Sequence, residues 1–436
     1  MAKDPMGMAL SAVTRLAGSD WLDRLRVREL SNRAAYTGTR AGFTALGRVQ
    51  KQFKRISSSI SAARLPHKQP GDLFDLTLDD DQQMIVDQLV RFARDTIRPQ
   101  AGEADEAGAV PEALEQALGE LGLSLYAVPE SLGGVAQSQD TVTAVLIGEQ
   151  LGYGDMGVAT AALTTFSTAK TLSLWGNGKQ QARYLEAFTE EQPVRACLAV
   201  DEPRPLFDPF QLRTRARRSG DGYELNGVKS GVAVGEQADL FLVAADVADL
   251  GPRLFLVERG TPGLSWKADP GMGCRAAAWG QLALEGVRVE ADALLGQESE
   301  FDYANFIDRS LLMRCALAVG CAQAVLDYVI PYCNQREAFG EPISHRQAVA
   351  FAISDMAIEV DSMRLLLWRA ASRADQGLTF GHETRLAYRL CAEKSMEIGS
   401  QGVQLLGGHG YVKEHPVERW YRDLRSTATL FGGLQA

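Results

Sequence analysis

The spacing of apolar residues changes twice along this chain, which limits the folds it can adopt. Before about residue 190 they recur at helical spacing, as Ile85 and Ile97 do. Short apolar runs at 238–247 and 253–260 then indicate strands, and helical spacing returns after Phe301. The pattern predicts an α+β fold with an antiparallel β domain between two helical domains. The predicted parts are a basic N-terminal extension and linker (1–72), an N-terminal helical domain (73–194), a middle β domain (195–300) and a C-terminal helical bundle (301–436).

Local signals predict where some elements begin and end. Thr77 precedes the acidic turn Asp79–Asp81, which favours a helix start, and Pro99 is expected to end that helix. The turn 220–222, Gly-Asp-Gly, is predicted to join two strands. In the bundle, apolar faces carrying residues such as Leu312, Leu317, Val319 and Val325 predict association with another subunit.

Composition excludes several classes of protein. The 436 residues are enough for about three domains, and 46% hydrophobic with 23% charged residues is typical of a globular chain. The most apolar stretch, Leu311–Cys333, is interrupted by Arg314, Gln323 and Asp327, so we do not expect it to span a membrane. We recognise no secretory signal. The six cysteines are scattered, so we expect reduced thiols in the cytoplasm and no metal site.

Charge is distributed unevenly. Residues 1–68 carry thirteen Lys or Arg against four acidic residues, a net charge of +9, so the remainder carries −19. This basic arm is predicted to touch an anionic membrane surface, an acidic protein or the acidic body, or to be a solvated extension; these alternatives stay open. Nucleic-acid binding is not predicted, because the rest of the chain has no basic face.

Five segments, in this order along the chain, carry a resemblance to a known family. They are LGELGLSLYAVPESLGG (118–134), WGNGKQQARYLEAF (175–188), GYELNGVKSGVAVGEQADLFLVA (222–244), QREAFGEPISHRQAVAF (335–351) and QLLGGHGYVKEHPVERWYRD (404–423). Over about residues 73–433 the chain resembles the acyl-CoA dehydrogenase family. The resemblance implies a C-terminal four-helix bundle and FAD-dependent α,β-dehydrogenation of an acyl thioester. It also implies subunits that share FAD, in a homo-oligomer or a heteromer with a paralogue.

Positions that grip the adenosine and pyrophosphate end of a neighbour's FAD in the family are retained. Arg336 matches the arginine of R-x-x-F-G, whose guanidinium suits a pyrophosphate. The other matching positions are Phe339, Gln347, Gln404, Leu405, Gly407 and Gly408. The glycines match a loop whose backbone approaches FAD.

Positions at the isoalloxazine end have changed. The family string T-E-P-G-A-G-S-D aligns on residues 201–208, which puts Asp201 at the flavin-bonding threonine and Phe207 at the serine. Gly231 takes the place of the tryptophan that shields the flavin, and Ala233 that of the threonine beside N5. Reduced flavin is anionic, so a carboxylate at Asp201 opposes its charge.

The family's catalytic base is missing from both places where it occurs. The glutamate near the end of the bundle aligns on Phe431, and the alternative position on the first bundle helix aligns on Ser310. Neither residue removes a carbon-bound proton at neutral pH. Asp308 aligns near an acyl-CoA-contacting aspartate, although a helix-cap role is equally open. Glu298 and Glu300 are nearby carboxylates that could be recruited as a base, although solvation at the surface is the favoured interpretation.

Three interpretations remain open. The chain is an active dehydrogenase of acyl-CoA or acyl-carrier-protein thioesters with an unrecognised base, passing electrons to an electron-transfer flavoprotein. Alternatively, it is a non-catalytic subunit that completes the FAD site of a competent paralogue. In the third, it resembles the family's flavin monooxygenases, which need no α-proton base. A cytoplasmic location is expected in each, with peripheral membrane association as an alternative.

Overall fold

The computed structural model describes residues 77–136, 140–190, 192–296 and 301–436. The basic arm and the carboxylates Glu298 and Glu300 lie outside the described residues. The described residues belong to one compact unit, Phe74–Ala436.

The N-terminal domain is helical. Its α-helices are α1 (Asp80–Phe92), α2 (Arg98–Ala107), α3 (Glu112–Glu120), α4 (Thr141–Gly154), α5 (Met156–Trp175) and α6 (Gly178–Tyr184). Asp79 is the N-cap of helix α1. Its side chain accepts a hydrogen bond from the Gln82 backbone N–H at 2.7 Å, and the Gln82 side chain accepts one from the Asp79 backbone N–H.

The prediction that Pro99 ends the first helix is wrong. A π-helical turn, Ala93–Ile97, follows α1 directly and runs into α2. The π turn changes the hydrogen-bonding pattern, so Pro99 falls in the first turn of α2. Proline has no N–H to donate, and its ring crowds the carbonyl four residues earlier, which here belongs to the wider π turn.

The middle domain is one seven-stranded sheet. Its strands are β1 (Ala196–Ala199), β2 (Arg215–Ser219), β3 (Gly222–Val232), β4 (Leu240–Val247), β5 (Gly251–Glu258), β6 (Leu264–Ala268) and β7 (Gly280–Glu290). The order is β1-β4-β2-β3-β7-β6, and β5 also pairs with β4. Four pairs are antiparallel, whereas β1 and β2 each run parallel to β4. The predicted turn at 220–222 joins β2 to β3.

The C-terminal domain contains three long helices and one short helix. They are α7 (Tyr303–Gln335), α8 (Gln347–Asp375), α9 (Gly381–Leu406) and α10 (Val417–Arg425), with a small hairpin, β8 (Glu337–Ala338) and β9 (Glu341–Pro342), between α7 and α8. A methyl group at Gly320 would lie 1.9 Å from the Glu149 carbonyl oxygen, so α7 and α4 pack backbone against backbone. The predicted α+β fold is confirmed.

Helix α7 is the core of the bundle. By length and composition it could cross a membrane, but 78% of its most apolar window is buried inside the fold. Leu312, Leu317, Val319 and Val325 are fully buried there, so the prediction that they form a face for another subunit is wrong. Helical spacing alone does not distinguish a core helix from an interface helix.

Helix α10 fastens the bundle to the other two domains. Its contacts include Arg419 to Asp155 at 2.9 Å, Arg422 to Asp105 at 2.8 Å, and Asp423 to the backbone N–H of Cys274. Asp155 and Asp105 belong to the N-terminal domain and Cys274 to the middle domain. Burial raises the pKa of Asp155, and the Arg419 guanidinium opposes that rise. The segment P-x-E-R-x-Y-R-D is therefore a structural junction in this chain.

Candidate functional site

The hairpin after α7 presents an exposed aromatic ring. The Phe339 side chain is 97% exposed, and its φ of +57° lies in the left-handed region that side chains other than glycine rarely adopt. The Arg346 guanidinium lies 5.7 Å from the ring centroid. Arg336 is exposed where α7 ends. A strained backbone holding a bare phenyl ring in water points to a ligand or partner that covers it.

The glycine loop after α9 lies beside the end of α7. The Tyr332 hydroxyl donates to the Leu406 carbonyl oxygen at 3.4 Å and lies 2.8 Å from His409 Nδ1. Tyr332 is one turn before Arg336, so the structure brings that arginine and the loop to the same end of the bundle.

The two predicted loop glycines face open space. Nothing lies within 4 Å of a methyl group built at Gly407 or Gly408, so another molecule can approach the backbone there. Gly407 has a φ of +59° and a ψ of −129°, a combination essentially restricted to glycine. Gln404 is exposed, whereas Leu405 is buried in the core. The Leu405 side chain therefore anchors the loop, and only its backbone is placed to approach a ligand.

Gln347 is exposed as the first residue of α8. It follows the hairpin that carries Phe339, and the hairpin is joined to α7 by a 2.8 Å hydrogen bond from the Ile343 N–H to the Arg336 carbonyl oxygen. The predicted residues Arg336, Phe339 and Gln347 therefore share one exposed corner of the bundle.

Positions aligned with the isoalloxazine site form a second cluster, in the interior. Both carboxylate oxygens of buried Asp201 accept hydrogen bonds, from the Phe431 N–H at 2.9 Å and the Gly432 N–H at 3.0 Å. Burial raises the pKa of Asp201, opposed by the nearby Arg314 guanidinium and these N–H groups. Asp201, aligned with the flavin-bonding threonine, thus accepts a hydrogen bond from the backbone of Phe431, aligned with the catalytic base.

The neighbouring aligned positions pack against the same short stretch. A methyl group at Gly231 would lie 2.8 Å from Leu430 Cδ2. The Phe207 and Phe431 rings are 6.1 Å apart at an edge-to-face angle of 64°. Ala233 is buried in the core. Phe207, Gly231 and Phe431 therefore surround one filled volume.

Arg314 was missed as a site residue, because the sequence analysis treated it only as a break in an apolar run. Its guanidinium is fully buried, and Nε donates to the Gly432 carbonyl oxygen at 3.1 Å. Burial lowers the pKa of Arg314, and the facing carboxylate of Asp201 opposes this. The available signal was its position one turn after Ser310, on the same helix face.

Ser310 is also buried and faces the same stretch. Its hydroxyl lies 2.9 Å from the side-chain amide of Gln435, and the Gln435 N–H donates to Ser167 Oγ at 2.9 Å. Neither Ser167 nor Gln435 was identified from the sequence. Their contacts join residues at least 125 positions apart.

Asp308 does not cap its own helix, because Asp302 does. Its carboxylate lies against Gly381 at the start of α9 and pairs with Arg385 at 3.7 Å. Burial raises its pKa. The adjacent Arg309 donates to Thr141 Oγ1 at 2.8 Å. The predicted substrate role of Asp308 stays a prediction.

Three models for the domains of acyl-CoA dehydrogenases match the chain: the N-terminal domain at residues 79–192, the middle domain at 197–287 and the C-terminal domain at 304–435. The chain belongs to the acyl-CoA dehydrogenase family. The bovine mitochondrial short-chain specific acyl-CoA dehydrogenase is 33% identical over 362 residues, which are 81% of this chain and 87% of that protein.

Other acyl-CoA dehydrogenases are similar to this chain over a comparable length. Cyclohex-1-ene-1-carbonyl-CoA dehydrogenase of Geobacter metallireducens is 33% identical over 369 residues, covering 81% of this chain and 95% of that one. The structure of butyryl-CoA dehydrogenase from Megasphaera elsdenii superposes with a TM-score of 0.76 at 28% identity, covering 82% and 96% of the two chains. A glutaryl-coenzyme A dehydrogenase complex with glutaryl-CoA gives a TM-score of 0.76 at 28% identity, over 82% and 93%.

FAD is the cofactor of this family, and the two clusters fit it differently. The exposed corner suits an adenosine and pyrophosphate, because it offers a guanidinium with no partner among the described residues, an exposed aromatic ring and an approachable glycine backbone. The interior cluster does not fit an isoalloxazine ring as it stands. Residues 430–432 fill it, and the Asp201 carboxylate already binds two N–H groups.

Proposed function

We propose that this acyl-CoA dehydrogenase family member serves FAD-dependent α,β-dehydrogenation of an acyl-CoA thioester by holding the adenosine and pyrophosphate end of FAD at its exposed corner. One observation carries the proposal: the Phe339 ring is 97% exposed on a strained backbone, at the same end of the bundle as Arg336 and the glycine loop. When bound, FAD supplies the acceptor for the substrate's hydride. In the corner, Arg336 binds the pyrophosphate and Phe339 offers its face to the nucleotide.

The corner supports a shared cofactor, so we propose an assembly of two or more subunits. Phe351, Ile358 and Leu365 recur every seven residues along α8 and are 58%, 62% and 46% exposed. An apolar stripe of this kind suits helix-to-helix contact between subunits. Identical subunits are the first candidate.

A second candidate role is that of a subunit completing the FAD site of a paralogue that carries the glutamate. The favouring observation is the filled interior, where Phe431 and Ser310 contribute no carboxylate and Asp201 is engaged by the backbone. No residue at the two aligned base positions can take a proton from carbon. In this role the chain provides cofactor affinity, and the partner provides the base.

The remaining partners follow from the chemistry. An acyl-CoA is the first substrate candidate and an acyl-carrier-protein thioester the alternative, with an electron-transfer flavoprotein as the electron acceptor. A cytoplasmic location fits these partners. Contact of the basic arm with a membrane surface or an acidic protein also stays a proposal, because its residues lie outside the described part of the chain.

The test is to purify the protein alone and co-expressed with a glutamate-carrying paralogue, then measure FAD per chain and add octanoyl-CoA without oxygen. Flavin bleaching by the protein alone establishes the dehydrogenase of identical subunits. A colourless protein alone, with a yellow assembly that bleaches, establishes the shared site. An absence of FAD in both preparations overturns the proposal.

A further inference from the structure

Residues 430–436, here called the inner segment, lie inside the protein. Leu430 and Phe431 are partly buried and Gly432 to Ala436 are buried. Their polar groups have partners from distant elements: Asp201 binds two N–H groups, Arg314 a carbonyl oxygen and Ser167 a third N–H. The Arg309 guanidinium donates to the Ala436 carbonyl oxygen at 3.3 Å. The inner segment is therefore hydrogen-bonded along its length by distant parts of the chain.

The inner segment also stabilises the two charged residues that bind it. Asp201 and Arg314 are almost fully buried, and burying a charge without hydrogen-bond partners is strongly unfavourable. The inner segment provides both oxygens of Asp201 with donors and Arg314 with an acceptor. Asp201 and Arg314 therefore form a binding site for a peptide backbone.

Packing also matches the inner segment. A methyl group at Gly432 would lie 2.3 Å from Val200 Cβ, so only glycine fits. Gly231, where the family has a tryptophan, leaves room for the Leu430 side chain. Receptor and segment are therefore complementary in shape as well as in polarity.

We propose that the inner segment is a resident occupant of this chain's own flavin and acyl cavity, and that a ligand enters only when the segment leaves. This proposal rests on the proposed function only for the identity of the ligand that competes with the segment. Asp201 and Arg314 are positioning residues for the segment. The interior then has two exclusive states, one filled by the segment and one open to FAD and a thioester.

The first experiment measures amide hydrogen exchange of residues 431–435 by mass spectrometry in the full chain. We expect exchange at least 100-fold slower than in the free peptide of the same sequence. Asp201→Val, whose side chain has no acceptor for the Phe431 and Gly432 N–H groups, should speed exchange of the segment at least tenfold. Arg183→Met, which breaks an exposed ion pair with Glu258 away from the segment, should leave that local exchange unchanged. Unprotected amides in the full chain would overturn the proposal.

The second experiment measures FAD binding by flavin fluorescence in a variant lacking residues 430–436. We expect at least tenfold tighter binding than in the full chain, reversed by adding a synthetic peptide of residues 430–436. If that variant does not fold, Gly432→Ala replaces it, since the added methyl group collides with Val200 and expels the segment. Equal FAD binding with and without a seated segment refutes the exclusion. Failure of the proposed function, with no FAD in any assembly, leaves the exchange result standing, so the two failures are distinguishable.

Discussion

Arg336→Ala should weaken FAD retention without destabilising the fold. Within the described part of the chain, the Arg336 guanidinium is exposed and makes no hydrogen bond or ion pair, so its loss leaves no buried partner unsatisfied. A hydrogen bond to a charged group contributes about 1.5–3 kcal/mol, which corresponds to a roughly 10- to 150-fold rise in the dissociation constant for FAD. We expect the melting temperature of the FAD-free chain to stay unchanged.

The assay follows the recovery of flavin fluorescence when the FAD-loaded assembly is diluted. Arg425→Ala is the matched control, because Arg425 is another exposed arginine at the end of a bundle helix but is not at the corner. It should retain FAD like the unaltered protein. Equal loss of FAD in both variants would mean that general charge, rather than a specific contact, holds the cofactor. Unchanged retention in Arg336→Ala would refute the assignment of this corner.

Three further variants test the structure. Arg419→Met leaves the buried carboxylate of Asp155 unpaired and should cost about 3–5 kcal/mol in denaturant unfolding, partly recovered by adding Asp155→Asn. Burial lowers the pKa of Lys229 to about 8, so as the pH rises the folded state loses that proton before the unfolded state does. The free energy of unfolding, relative to that of Lys229→Met, should therefore rise between about pH 8 and 10.4. A difference between the two proteins that does not change with pH would contradict this. Gly410→Ala places a methyl group 2.3 Å from a backbone oxygen and should cost about 1–3 kcal/mol, whereas Gly408→Ala meets nothing within 4 Å and should lower FAD retention alone.

The order of the domains was predictable because the hydrophobic period is a property of neighbouring residues. Helical and strand spacing separate cleanly at the middle domain, and the turn at 220–222 is decided by its glycines. Pro99 was misjudged because a π turn, which has no sequence signal here, shifted the helix around it. Local patterns also failed to predict that Leu312, Leu317, Val319 and Val325 of α7 are buried inside the chain.

The candidate site was predictable only where a motif could be aligned. Arg336 and Phe339 were found from R-x-x-F-G, and the structure places them together at the surface. Asp201 and Phe431 were each recognised as departures from the family pattern, but their direct contact joins residues 230 positions apart. Nothing local indicates such a contact, so the inner segment and its Arg314 partner were not predicted.

The exposed corner retains the residues of the family pattern and the interior cluster does not, and this difference follows from where the two lie in the fold. The corner is on the surface, so keeping or losing a residue such as Arg336 changes little in the packing of the fold. The flavin half is interior, where a vacated volume destabilises the fold in proportion to the cavity it leaves. Replacing the ring therefore requires several matched changes, and Asp201, Gly231, Arg314 and Gly432 each suit the inner segment and one another. A change at one of them alone leaves an unpaired charge or a steric clash, so the interior substitutions depend on each other while the corner can be retained independently.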